Sequence, residues 1–131
     1  MIRQNCPCCG YPTLFERRAW EICSLCNWED DGQDDPHADK VWGGPNRDYS
    51  LTEARENFNK HYIMYRDGLE QTDKEIQTKK SLILAFEQLK TANDESVQRL
   101  WQEIDSLEEI LDEIVREQVE QFSKNAENQN G

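Results

Sequence analysis

The clearest hydrophobic pattern lies in the second half of the chain. Val97, Leu100, Ile104, Leu107, Leu111 and Ile114 recur at alternating steps of three and four, the spacing of a heptad seam on one helix. Trp101, Ile110, Val115 and Phe122 widen that seam into a broad stripe. A helix of ~25 residues follows, about 38 Å long at ~1.5 Å per residue. Upstream, Leu69, Ile76, Ile83 and Phe86 fit one face of another helix, with Leu82 and Leu89 flanking it. Glu70 with Lys74 and Glu75 with Lys79 are acid-first pairs at helical spacing, favourable on a solvated face. The polar link Thr91-Ala92-Asn93-Asp94 predicts an antiparallel hairpin, with Asn93 or Asp94 capping its second helix. A third helix is expected from Ser50, where Ser50-Leu51-Thr52-Glu53 fits a capping box and Leu51, Ala54, Phe58 and Tyr62 share a face. Whether that helix continues through Gly68 is left open by the pattern. A polar tail at residues 123–131 is expected to fray.

The first third reads differently. Thr13-Leu14-Phe15 and Trp20-Glu21-Ile22 look like short strands around a turn at 16–19. All five cysteines and all four prolines precede residue 46. The expected fold class is therefore α+β and mostly α, with a zinc-ribbon-like β-hairpin head followed by an antiparallel helical hairpin. The expected domains are a head at 1–64, an acidic helical hairpin at 65–122 and a disordered tail at 123–131.

Cys6-Pro7-Cys8-Cys9 and Cys23-Ser24-Leu25-Cys26 each hold a C-x-x-C pair. Two such pairs can place four thiolates tetrahedrally about one zinc. Gly10 and Asn27, the residues that best tolerate positive φ, follow the pairs where such knuckles require it. Four sulfur ligands close the coordination sphere, so the zinc is expected to be structural. It would stabilise a head of about 60 residues that buries little core of its own. A pair of disulfides is the competing reading, weak in a reducing cytosol. Cys8 is the odd thiol: a ligand in place of Cys6 or Cys9, a reactive or redox-sensing group, or a packed side chain. His37 and His61 lack ligand spacing to either pair.

The formal charge is −12, from 27 acids and 15 bases. Residues 95–131 alone carry −7. Such a chain repels phosphate backbones, so nucleic acid is an unfavoured partner. No apolar run is long enough to span a membrane, and Met1-Ile2-Arg3-Gln4-Asn5 lacks the apolar core of a secretory signal, so a cytoplasmic location is expected. Glu29, Asp30, Asp31, Asp34 and Asp35 follow the second cysteine pair without the spacing of a calcium loop. They form a solvated acidic loop, a patch for a basic partner, or carboxylates that accept hydrogen bonds from knuckle amides and arginine side chains. Trp101, Glu108, Glu109, Asp112 and Glu113 are the corresponding interaction candidates on the long helix.

Together, CPCCGY at 6–11, WEICSLCNWEDDG at 20–32 and GGPNRDYSLTEARENF at 43–58 closely resemble the cysteine-rich CPCC family. These are small, mostly bacterial domains regarded as zinc binders, and the resemblance covers about residues 4–62. It implies the ligand set Cys6, Cys9, Cys23 and Cys26, and it marks Glu29, Asp30, Asp31, Glu53 and Arg55 as signature positions. It implies no activity. The residues themselves favour a non-enzymatic protein-interaction module, in sharper form an immunity or antitoxin-type inhibitor of a basic toxin. Homodimerisation through the hairpin is a further expectation. The alternatives are a zinc-ribbon adaptor for nucleic acid and, third, redox or enzymatic chemistry at Cys8.

Overall fold

The computed structural model of the chain describes residues 2–68 and 70–130; within α3, the side chains of Phe122 and of residues 125–130 lie outside that description. Leu69 and Phe122, both placed on helical faces from their spacing, therefore lie outside the described side chains, as does Gly131.

Three α-helices are present: α1 at Leu51–His61, α2 at Asp73–Leu89 and α3 at Asp94–Asn130, preceded by 3-10 turns at Asp35–His37 and Gly44–Asn46. Among the described residues there is no β-strand, so the α+β class and its β-hairpin head are corrected to an all-α fold. The reason lies in the hydrogen bonds. The segments at 13–15 and 20–22 do not pair with each other. Each closes back across its own cysteine knuckle through one isolated antiparallel bridge, Gln4 with Leu14 and Ile22 with Glu29. Between them, Arg18 and Trp20 take positive φ of 61° and 63°, which no continuous strand accommodates. The zinc-ribbon description falls with the hairpin.

The chain divides into two compact units, Met1–Ile76 and Gln77–Gly131. In the first, α1 buries Leu51, Ala54 and Phe58, the expected face. Ser50 caps it by accepting the Glu53 amide at 3.0 Å. The reciprocal half of the capping box does not form among the described bonds. The Glu53 carboxylate instead holds Arg66 at 2.6 Å and Asn57 at 3.2 Å. α1 ends at His61 and does not run on through Gly68. Tyr62 turns left-handed (φ 65°) and its amide closes on Phe58 O at 2.9 Å. Gly68 instead permits a close approach, because a Cβ there would lie 2.6 Å from His61 Cβ and 2.9 Å from its Cγ. Gly68→Ala is expected to cost about 1–3 kcal/mol through overpacking. An unchanged melting temperature would refute that close approach.

In the second unit, four residues join α2 to α3, and the Phe86 and Trp101 rings meet edge to face at 6.5 Å. Phe86 lies three residues before the end of α2 and Trp101 seven after the start of α3, so the two helices fold back on each other across a four-residue link. Asn93 caps α3 by accepting the Ser96 amide at 3.0 Å. Along α3, Leu100, Ile104, Leu111 and Ile114 are buried while Val115 and Val119 stay exposed. The backbone of α3 takes in residues 123–130 of the polar tail. On α2 the buried face centres on Leu82, Ala85 and Phe86, with Ile83 only half-buried. It is thus rotated by one residue from the face that the spacing predicts. Thr78 and Lys79 lie on the same side, so both members of the Glu75–Lys79 pair are buried, Lys79 to 1% exposure.

Candidate metal centre

Two knuckles of the same design build the site. In the first, the Cys6 amide donates to Tyr11 O (2.9 Å) and the Gly10 amide to Cys6 O (2.8 Å). In the second, the Cys23 amide donates to Trp28 O (2.9 Å) and the Asn27 amide to Cys23 O (3.0 Å). The residue four after the leading cysteine has positive φ in both, 80° at Gly10 and 72° at Asn27. That repeat explains why glycine and asparagine stand there.

The knuckles bring Sγ of Cys6, Cys9, Cys23 and Cys26 within 4.8 Å of one another. Cys6 and Cys26 approach to 3.6 Å, and Cys9 and Cys23 to 3.7 Å. With metal–sulfur bonds of ~2.3 Å, a tetrahedron of thiolates has edges of about 3.8 Å. Two edges lie within about 0.2 Å of that value and all lie within 4.8 Å, so the cluster is compatible with a tetrahedral metal ion. All five cysteines are free thiols, which sets aside the disulfide reading.

Burial and mutual hydrogen bonding perturb all four thiols. Burial pushes the Cys23 thiol up, but hydrogen bonds from Cys26, Cys6, Cys9 and Thr13 outweigh it and hold the group well below the ordinary thiol range. Hydrogen bonding to the Cys23 sulfur raises Cys6 and Cys9, and burial raises Cys26. Thr13 Oγ1 donates to Cys23 Sγ at 3.0 Å, and the Leu25 and Cys26 amides point at it from 3.4 Å. Metal binding to such a set displaces protons from the thiols, so affinity is expected to rise with pH.

Cys8 is not in the four-sulfur group. It is buried, and interaction with it adds to the upward push on the Cys26 thiol. Neither histidine joins the cluster: His37 stacks against Trp42 and His61 abuts Gly68.

Of the acids after the second knuckle, Asp30 turns inward and the others stay half-buried or exposed while most of them accept local hydrogen bonds or ion pairs. Asp30 is fully buried; its Oδ2 accepts Arg17 Nε at 2.7 Å and the Arg18 amide at 2.8 Å, and its Oδ1 accepts the Gly32 amide at 3.1 Å. Asp31 accepts the Gln33 amide. Asp34 pairs with Arg17 at 2.9 Å and caps the first 3-10 turn; the Asp35 amide and then Arg17 hold its carboxyl below the usual range. Asp35 pairs with Arg55, whose Nε also donates to Pro7 O at 2.9 Å. Arg55 thereby ties α1 to the first knuckle, and the Met64 amide ties the end of that segment to Cys26 O. Glu29 is clamped through its backbone, the Asn46 side chain accepting its N–H (3.1 Å) and donating to its C=O (2.8 Å). On α3, Trp101 and Glu108 are half-buried, and Glu109, Asp112 and Glu113 are exposed.

Spacing singled out neither Thr13 nor Asn46. Thr13 resembles any strand residue in sequence. Asn46 carried a signal only as part of the turn cluster Gly43-Gly44-Pro45-Asn46.

Comparison with protein families matches residues 4–79, more than half of the chain, to the family described as Cysteine-rich CPCC. The match runs past residue 62 and takes in all of α1 and the start of α2. Comparisons with curated proteins and with solved structures give no match. Among the described residues no helix is long and apolar enough to cross a membrane.

Proposed function

We propose that this chain, a member of the cysteine-rich CPCC family, is a non-enzymatic protein-interaction module whose head is held together by one structural zinc ion. The observation that carries the metal reading is the four-sulfur cluster with edges of 3.6 and 3.7 Å. All-thiolate donors favour a soft or borderline ion, and zinc accepts a tetrahedral S4 set without redox chemistry. Four protein ligands leave no position for a substrate or an activated water, which favours a structural role. Cys6, Cys9, Cys23 and Cys26 would hold the ion, while Thr13 and the knuckle amides compensate the charge on sulfur. Free thiols suit a reducing compartment such as the cytoplasm.

The charge of −12 supports a basic protein as partner, because complementary fields speed encounter. An inhibitor of a basic toxin is the sharpest form of that reading. Metal analysis with native mass spectrometry tests the site: one zinc per chain is expected, in the wild type and equally in Cys8→Ala. Loss of stoichiometry in Cys8→Ala would make Cys8 a ligand. The partner reading is tested by gene neighbourhood and co-expression. Rescue from a basic toxin encoded alongside is the expected outcome, and nucleic-acid binding at physiological salt would overturn it.

A further inference from the structure

The ribbon around the second knuckle carries an exposed surface that the metal site does not use. Ile22 and Glu29 form an antiparallel bridge, flanked by the bonds Cys23 N to Trp28 O (2.9 Å) and Asp30 N to Glu21 O (2.9 Å). They are therefore a non-hydrogen-bonded pair, whose side chains stand close together on one face. Ile22 is 62% exposed. The Glu29 carboxylate makes no hydrogen bond or ion pair among the described residues.

Next along the chain, the Trp20 amide donates to Asp30 O at 3.1 Å, while the Asp30 amide donates to Glu21 O. Trp20 and Glu21 thus both oppose Asp30, the pattern of a β-bulge. Trp20 takes the bulge position with φ 63°, where glycine is the unstrained residue. A large aromatic side chain is held there and remains 60% exposed. Bulges of this kind re-aim a side chain. The outer backbone edge at Glu29 is closed by Asn46, so a partner strand cannot add there, and recognition at that residue must use side chains.

We propose that Trp20, Ile22 and Glu29 form the contact point for an arginine presented by a basic partner protein. This inference rests on the basic-partner reading above. A guanidinium stacks on an indole and pairs with a carboxylate, and its aliphatic stem lies along an isoleucine. Charge complementarity favours this occupant. Residues 1–44 hold 8 acids against 4 bases, and Arg17, one of the two bases in the turn, is already engaged by Asp30 and Asp34.

The test uses the zinc-loaded full chain and a blocked decapeptide of alternating leucine and arginine. The counterpart peptide carries citrulline, the uncharged isostere of arginine. Calorimetry gives the affinity, and amide and indole chemical shifts locate the contact. The arginine peptide is expected to shift the Trp20 indole and the Ile22 and Glu29 amides, and to bind at least about tenfold more tightly than the citrulline peptide. Trp20→Gly removes the indole and relieves the left-handed position. It is expected to weaken binding at least about tenfold without lowering the melting temperature, and Glu29→Gln about threefold to tenfold. If both variants bind as the wild type does while Asp112→Asn with Glu113→Gln loses binding, the contact lies on α3; this inference then falls and the basic-partner reading stands. If no variant, nor the wild type, distinguishes arginine from citrulline, the basic-partner reading falls with it.

Discussion

Replacing Cys23 with serine, or stripping the metal with a strong chelator, is expected to unfold the head. Cys23 is fully buried and is the most heavily bonded sulfur of the cluster: it approaches Cys9, accepts from Thr13 and receives two knuckle amides. The segment from residue 4 to 35 is held by two isolated bridges, the paired turns of the knuckles and a small apolar set of Leu14, Leu25 and Trp28. No strand ladder runs through its described residues, and the nearest α-helix, α1, reaches it through Arg55. A structural zinc contributes about 10–16 kcal/mol of apparent binding free energy in comparable small sites, more than the entire net stability of many domains. Chelation is therefore expected to abolish the near-ultraviolet signal of the head tryptophans and the amide-exchange protection of residues 6–30, before the far-ultraviolet helical signal is lost. A head that keeps its exchange protection without metal would refute the structural role.

The second large effect is expected at Asp30. Asp30→Ala removes the acceptor for Arg17 Nε, the Arg18 amide and the Gly32 amide together, from a carboxylate with no solvent exposure. Breaking a buried charge pair costs up to about 3–5 kcal/mol. Arg17 keeps Asp34 and is itself 27% exposed, which lowers its share. Two backbone amides lose their acceptor, at about 1–3 kcal/mol for each that stays buried. The expected loss is about 3 kcal/mol, read by chemical denaturation of the metal-loaded chain. Asp34→Ala removes a carboxylate 35% exposed and is expected to cost less than about 1 kcal/mol. A loss under about 1 kcal/mol for Asp30→Ala would show that the turn at 16–19 is held by other contacts. The carboxylates of this loop look alike in sequence; the structure separates Asp30, which holds the turn, from Asp34 and Asp35, which pair nearer the surface.

Local chemistry made much of the molecule legible. The four cysteines declare themselves because a tight knuckle needs two residues between ligands and a residue tolerant of positive φ after them, and both demands are met within six residues. Ser50 and Asn93 are legible as caps because a side-chain oxygen reaches an amide only three residues on. Thr72, which caps α2 by accepting the Glu75 amide at 3.1 Å, obeys the same rule and offered the same signal. The seam of α3 is legible because period alone places those side chains on one face.

What the tertiary structure decided is which distant group satisfies each of these elements. Alternation at 13–15 and 20–22 marks extended backbone, and an extended edge carries the same donors and acceptors whoever its neighbour is. Pairing across each knuckle won over pairing between the knuckles because Asp30 fixes the Arg17-Arg18 turn from 12 and 13 residues away and Asn46 closes the Glu29 edge from 17. Arg55 reaches back 48 residues to Pro7 O. On α2, a one-residue rotation moved Leu82 to the centre of the buried face and took Lys79 with it, a choice period cannot make when apolar residues are adjacent. Sequence alone determined the sulfur ligands and the helices, since both depend on neighbours within a turn or two. Only the fold determined that the described residues of the head form no strand and that Asp30, alone among its acids, is fully buried, since those outcomes depend on hydrogen-bond partners distant in the chain.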